Sequence, residues 1–473
     1  MYYRITDEVA LRSWPELGFA ACRRGARTAV PLSRKQAAIM ALCDGEHDIA
    51  TDATVMLLAM KKLIEPCEKG AHPSAWSALR EYDNAYFPLM GLMITGKCNF
   101  NCLHCFNAAD NAALMTEWSF EDICDLLDQA RDCGIMSFQI TGGEPMAHRR
   151  FLDIMREIYK RNMSVYAINT NGWFITQEVL DELKGIGCNA EMKLSFDGVG
   201  FHDWMRQRAG AEKRTVDAME LCVNNGFRVL SNTQVNRKNV HAMMPTAKLL
   251  DDIGVQGMRI IRTTEVPRWE ENAANACLSL EEYYSRMLDF AVEYIHSDLG
   301  VNVVIWQYIG LMPQQKSYFL KPVKFAGGAC RDGAHCCQCA HQMTAVSSEG
   351  EIMPCNQMSG YLLKHGISLG NVHRTPLRDL LRDGDYVKAA NMTVGDLRSA
   401  GGKCATCPYF RFCGGGCMAL GQLYAGDENH VSFTHEDVTK CRFFEDGWYQ
   451  KITRALSEWT NLSEIEMPER AAE

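Results

Sequence analysis

Residues 97–111 read KCNFNCLHCFNAADN, which puts Cys98, Cys102 and Cys105 within eight positions, directly after the apolar run LMGLMIT at 89–95. Three thiols fall one short of the tetrahedral shell of structural zinc. They suit a four-iron, four-sulfur cubane, which takes one thiolate per iron and here would keep its last iron open to a further ligand. Working outward from this loop, short apolar strands alternate with amphipathic helical segments: LMGLMIT, MSFQIT, SVYAINT, AEMKLSF, FRVLSNTQV and GMRIIRT, with SFEDICDLLDQARDCG and TVDAMELCVNNG among the helices between them. Six such alternations imply parallel strands covered by helices, with function at the C-terminal strand ends. The chemically unusual residues all fall there: the Cys loop after the first strand, Gly142-Gly143-Glu144-Pro145 after the second, Asn171-Gly172 after the third and Asp197-Gly198 after the fourth.

The flanks have a different texture. Near the N-terminus, FAACRRGARTAVPLS reads as two short strands around a turn, and Ser33 with Gln36 forms a capping box opening the helix RKQAAIMALC. A second helix is expected over 52–64, and EKGAHPSAW reads as a linker. Strands with two helices suggest a winged-helix-like module over 1–75, followed by a barrel over 86–310. From about 320 the chain turns Gly- and Cys-rich with little periodicity, as expected of a region, 320–450, held by metal rather than by an apolar core. A C-terminal helix and frayed polar tail are expected over 451–473.

The chain has 473 residues, 21 cysteines and a net charge of −9. An odd, high cysteine count without an export signal argues for ligation rather than a disulfide framework, and for a cytoplasmic protein. No apolar stretch is long enough to span a membrane. The acidic balance disfavours a nucleic-acid partner; residues 1–70 hold ten Lys and Arg against nine Asp and Glu, so they lack a basic footprint.

The C-x3-C-x2-C spacing at this place resembles the signature of the radical S-adenosylmethionine (AdoMet) superfamily. The resemblance implies an α/β fold built on a partial (β/α)6, TIM-like barrel. It also implies a cluster on Cys98, Cys102 and Cys105 whose open iron chelates AdoMet and splits it to a 5'-deoxyadenosyl radical. Gly142, Gly143, Glu144 and Pro145 match the family motif that holds the methionyl amine. Ser195 and Asp197 resemble its ribose contacts, and Arg206 is expected at the AdoMet carboxylate. His104 stands where the family usually has an aromatic residue beside adenine.

Further on, CATCPYFRFCGGGC with Cys441, and GEIMPC at 350–355, resemble the SPASM domain, which carries two auxiliary clusters. The interleaved order implies Cys404, Cys407, Cys413 and Cys441 for one, and Cys355 and Cys417 with upstream thiols for the other. Cys337 has the family spacing, Cys336 and Cys339 also fit, and Cys330 is a fourth ligand unless one iron stays open. The N-terminal module resembles PqqD-like leader-recognition elements. Together these imply a maturase that cross-links a ribosomal precursor peptide, most simply through a Cys thioether, with three 4Fe-4S clusters and an electron donor such as flavodoxin or ferredoxin. The alternatives are a carbon–carbon or ether link, formylglycine-type oxidation, and a non-catalytic electron carrier or redox regulator.

Overall fold

The computed structural model describes residues 1–105, 116–263, 273–328, 330–425 and 433–466. The N-terminal module contains β1 (Tyr2–Ile5), β2 (Val9–Trp14), β3 (Gly18–Arg23), β4 (Val30–Pro31), α1 (Arg34–Leu42), β5 (Asp44–Asp48), α2 (Ala53–Met60) and β6 (Ile64–Pro66). Ser33 and Gln36 close the expected capping box on α1, with reciprocal bonds of 3.2 and 2.8 Å. Strand β1 lies between β5 and β6, while β3 joins β4 and β2 in a second sheet. Tyr3, Ile5, Leu11, Met40, Val55 and Leu58 form the shared core.

The segment after the module is strapped down rather than free. Buried Arg12 donates to the carbonyls of Trp76 and Ala78, each at 2.7 Å, and β7 (Arg80–Glu81) pairs in parallel with β2. Trp14 stacks on Tyr82 at 4.8 Å and meets Tyr86 edge-on at 4.9 Å, in a cluster that reaches Met136 of the barrel. The expected boundary at 75 therefore falls inside a clamped connection.

All six expected strands are present: β8 (Leu89–Met93), β9 (Ser137–Thr141), β10 (Ser164–Thr170), β11 (Glu191–Ser195), β12 (Val229–Val235) and β13 (Gly257–Arg262). They are consecutive and parallel, and the sheet does not close. Between them run α3 (Phe120–Asp132), α4 (Phe151–Lys160), α5 (Gln177–Gly185), α6 (His202–Arg206), α7 (Ala211–Asn224) and α8 (Met243–Ile253). Ser119 caps α3, which buries Ile123, Leu126, Leu127 and Ala130 at helical spacing. Helix α4 does the same with Phe151, Ile154, Met155 and Ile158. No described helix is long and apolar enough to cross a membrane.

Beyond β13, α9 (Leu280–Ile295) precedes β14 (Asn302–Ile305), β15 (Ile309–Met312) and β16 (Ser317–Leu320), which extend one edge of the sheet. The Cys-rich region extends the other. After α10 (Gln338–Gln342), β17 (Met343–Val346) pairs in parallel with β8, and β18 (Ile352–Met353) adds outside it. This region also has an apolar core, with Ala345, Met353, Met358, Val394, Leu397, Phe410 and Phe433 buried together, so metal is not its only support. The C-terminal segment is packed rather than frayed through residue 466. The helix Trp448–Ala455 buries Trp448 and Ile452, and β19 (Thr460–Asn461) pairs with β16. The rest of the expected tail, 467–473, lies outside the described residues.

Candidate functional site

The Cys loop leaves the C-terminal end of β8 and is buttressed by the turns after β9 and β10. The Gly143 N–H donates to the Thr95 carbonyl at 2.7 Å, and the Glu144 N–H to Lys97 at 2.9 Å. A Cβ on Gly142 would lie 2.3 Å from the Thr95 oxygen, and one on Gly143 2.3 Å from that of Lys97. These glycines let two backbones touch. Within the loop, the Phe100 N–H donates to Cys98 Sγ at 3.4 Å, and Cys98, Cys102 and Cys105 gather in one cluster with Phe100, Trp173 and Ala211.

Glu144 is held by its own neighbours. Its carboxylate is fully buried and accepts from the Thr170 hydroxyl at 2.8 Å, the Met146 N–H at 3.1 Å and the Asn171 N–H at 2.7 Å. It staples the end of β10 to the turn after β9. Burial raises its pKa to about 7 against those donors. Pro145 opens the short turn that Glu144 caps. Asn171 was marked by its position alone; its amide lies 2.8 Å from Asn99 Oδ1 and 4.0 Å from Cys98 Sγ, tying β10 to the Cys loop.

Asp197 and Arg206 are paired with each other. They form a buried bidentate pair, Nε to Oδ2 at 2.6 Å and Nη2 to Oδ1 at 3.1 Å, and the Gln234 N–H adds a third donor to Asp197. Burial alone would raise the Asp197 pKa; the guanidinium overcomes it and holds the carboxyl well below its usual range. The remaining arm of Arg206 lies 3.6 Å from Cys102 Sγ. Asp197 thus anchors Arg206, and Arg206 carries that anchored charge to a loop thiol. Asn239 fixes the same corner by donating to the Asp197 and Gln234 carbonyls, each at 2.7 Å. Ser195 ends β11 half-buried. His104 sits in the loop, where burial pulls its pKa down to about 3 and keeps the imidazole neutral.

Cys404, Cys407, Cys413 and Cys441 line one small cavity with Lys440 and Phe444, the grouping expected for one auxiliary site. Gly414, Gly415 and Gly416 all have left-handed φ (54°, 84° and 80°), and a Cβ on Gly415 would fall 2.0 Å from Leu397. This sharp passage separates Cys413 from Cys417, whose N–H donates at 2.9 Å to Asp437, the cap of the helix Val438–Glu445 that carries Cys441. For the other site, Cys337, Cys339, Cys355 and Cys417 lie within electrostatic range of one another, and Cys337 and Cys339 are hydrogen-bonded. Cys330 packs in the same cluster as Cys336, Cys337, Cys355 and Cys417, so Cys330 and Cys339 both stand near this group.

The radical SAM superfamily model matches residues 92–249, from β8 into α8, and the SPASM iron–sulfur cluster-binding model matches residues 336–408. This is a radical SAM fold with a C-terminal SPASM domain. Among similar proteins, an AdoMet-dependent heme synthase of Methanosarcina barkeri is 25% identical over 350 residues, covering 72% of this chain and 93% of that protein. The subtilosin biosynthesis protein AlbA of Bacillus subtilis is 30% identical over 165 residues, 34% of this chain and 36% of that one. Streptococcus suis SuiB, solved bound to its precursor peptide SuiA, superposes with a TM-score of 0.61 at 14% identity, over 92% of this chain and 99% of that one.

The two domains imply AdoMet and iron–sulfur clusters, and the residues fit them. The radical SAM loop gathers three thiols in an apolar pocket under a guanidinium, and the SPASM thiols form two groups of four. Among the described residues no three Cys, His, Asp or Glu converge tightly enough for a single metal ion.

Proposed function

We propose that this radical SAM/SPASM protein modifies a ribosomally made precursor peptide, abstracting hydrogen and forming an intramolecular cross-link, a Cys thioether. The observation that carries this reading is the N-terminal module and its contact with the barrel. Arg27, between β3 and β4, lies 4.7 Å from the ring of Tyr166 on β10, at the face of the sheet that the helices leave open. A leader added as a strand to an edge of the module would deliver the following segment to that face. More than a quarter of the chain has no counterpart in the heme synthase alignment, whereas the likeness to SuiB runs over nearly all of it.

AdoMet, when bound, supplies the 5'-deoxyadenosyl radical that takes the hydrogen atom. Cys98, Cys102 and Cys105 would hold its cluster, Cys404, Cys407, Cys413 and Cys441 one auxiliary cluster, and Cys337, Cys339, Cys355 and Cys417 the other, three 4Fe-4S clusters in all. Phe100 and Trp173 pack around the loop thiols, and the Arg206 guanidinium lies 3.6 Å from Cys102 Sγ. A small electron-transfer protein such as flavodoxin or ferredoxin serves as reductant, in the cytoplasm and without nucleic acid.

Anaerobic reaction of the reduced, cluster-loaded protein with a Cys-containing precursor, read by mass spectrometry, tests this: each thioether removes two hydrogens. An unchanged mass with an inverted stereocentre means epimerisation instead. The heme synthase likeness favours a second reading, a tetrapyrrole substrate; 5'-deoxyadenosine coupled to loss of an iron tetrapyrrole, and not to peptide, would establish it. A pure electron carrier would form no 5'-deoxyadenosine.

A further inference from the structure

The inner face of the open barrel, away from its helices, carries cations that the Cys loop does not employ, two of which, Arg259 and Lys321, lie within electrostatic range of Cys339. In parallel pairing Asn169 is opposite Lys193, Lys193 opposite Leu230, and Arg259 opposite Asn232. Residues two apart on a strand share a face, so Asn169, Lys193 and Arg259 lie on the same one. All three are half-buried, while alternating neighbours such as Ile168, Met192, Leu194, Met258 and Ile260 are buried under the helices.

Two more cations reach this face. Arg27 covers Tyr166, with Lys193 Nζ 5.9 Å from the same ring, and Lys321, just after β16, lies within electrostatic range of Arg259. The Arg259 guanidinium packs on Trp306 at 4.0 Å. Glu191 is the one described carboxylate paired with the group, and it is divided between Lys193 at 3.5 Å and Arg228 at 3.2 Å. Among the described residues the side chains of Arg259 and Lys321 have neither an ion pair nor a hydrogen-bond acceptor. Desolvation lowers the pKa of Lys193, Arg259 and Lys321, so these charges are held on the face at a cost. One buried acceptor adjoins them without a donor, Asn169 Oδ1, on the residue opposite Lys193.

The geometry points to a carboxylate seat on this face: an Asp or Glu side chain of the substrate peptide binds between Arg259, Lys321 and Lys193 under Arg27, while Asn169 accepts a backbone N–H of the same segment. Bidentate recognition by an arginine that has no internal partner suits a carboxylate, and the aromatic floor at Trp306 orients the guanidinium plane. The seat rests on the peptide reading, and it names the segment brought to the barrel as acidic. Propionate groups of a tetrapyrrole share the chemistry, so the test separates the two sources.

Calorimetric titration of the cluster-loaded full chain is carried out with an acidic Glu-containing decapeptide, its Gln counterpart and iron coproporphyrin III, for wild type, Arg259→Gln and Arg259→Lys at matched iron content. The acidic peptide should bind at least tenfold more tightly than its Gln counterpart. Arg259→Gln should erase the difference, Arg259→Lys should keep most of it, and added salt should weaken it. If only the porphyrin binds, with the same dependence on Arg259, the seat stands and the peptide reading falls. Binding of all three probes that ignores Arg259→Gln, no binding of any, or an Arg259→Gln effect confined to the auxiliary-cluster potential beside Cys339 would overturn the seat.

Discussion

In the Cys98–Cys105 loop three thiols come from eight consecutive residues, and the loop is shaped from outside by the turns after β9 and β10. In the SPASM region each group of four is drawn from distant segments, through three successive left-handed glycines and a helix cap that binds the far strand of chain. The difference separates two uses of one kind of ligand. A local set constrains little of the chain, can leave one iron open and depends on its neighbours for rigidity. A dispersed set ties the chain together and is part of the fold.

That contrast can be broken at several points. The largest effect is expected from Cys98→Ala, which should reduce 5'-deoxyadenosine formation by the reduced protein below detection while leaving the melting curve nearly unchanged; a large drop in stability would mean the local set also holds the fold. Cys413→Ala should do the reverse, losing about four irons per chain and exposing residues 402–445 to hydrogen exchange, with uncoupled AdoMet cleavage retained.

Arg206→Ala strands the Asp197 carboxylate in the interior. It should cost about 3–5 kcal/mol in denaturant unfolding, and Asp197→Asn in the same chain should recover part of that.

The smallest effect concerns Glu144. Its folded pKa is raised to about 7 from an ordinary 4.5, so between those values the native state holds a proton that the unfolded chain has released. Stability of the ligand-free protein should therefore fall as pH rises from 4.5 to 7, by on the order of 3 kcal/mol, and level off above. Glu144→Gln should flatten that slope in thermal melts across the same pH range.

The barrel was legible because parallel strands covered by helices appear as short apolar runs, and SVYAINT and GMRIIRT locate β10 and β13 to within a residue. The Cys loop and the Cys404–Cys441 group were legible from spacing. Strand β5, DGEHD, was not, because it is a polar strand at the edge of a small sheet and shows no alternation. The addition of β17 to β8 joins segments remote in sequence, which no local pattern reports. Pairing of Asp197 with Arg206, and the approach of Cys339 to Cys337, Cys355 and Cys417, depend on which side chains meet after folding. Lys193 and Arg259 did leave a trace, charged residues at the alternate positions of EMKLS and GMRIIR, readable once the inner face is known to lack helices.

Electron paramagnetic resonance of the reduced, fully loaded chain, with and without AdoMet, probes the open corner most directly. AdoMet should perturb one cluster signal only, and Cys98→Ala should delete that signal while the auxiliary signals persist. A spectrum that AdoMet leaves unchanged, or a perturbation that survives Cys98→Ala, would contradict the assignment of the three-thiol loop as the AdoMet site.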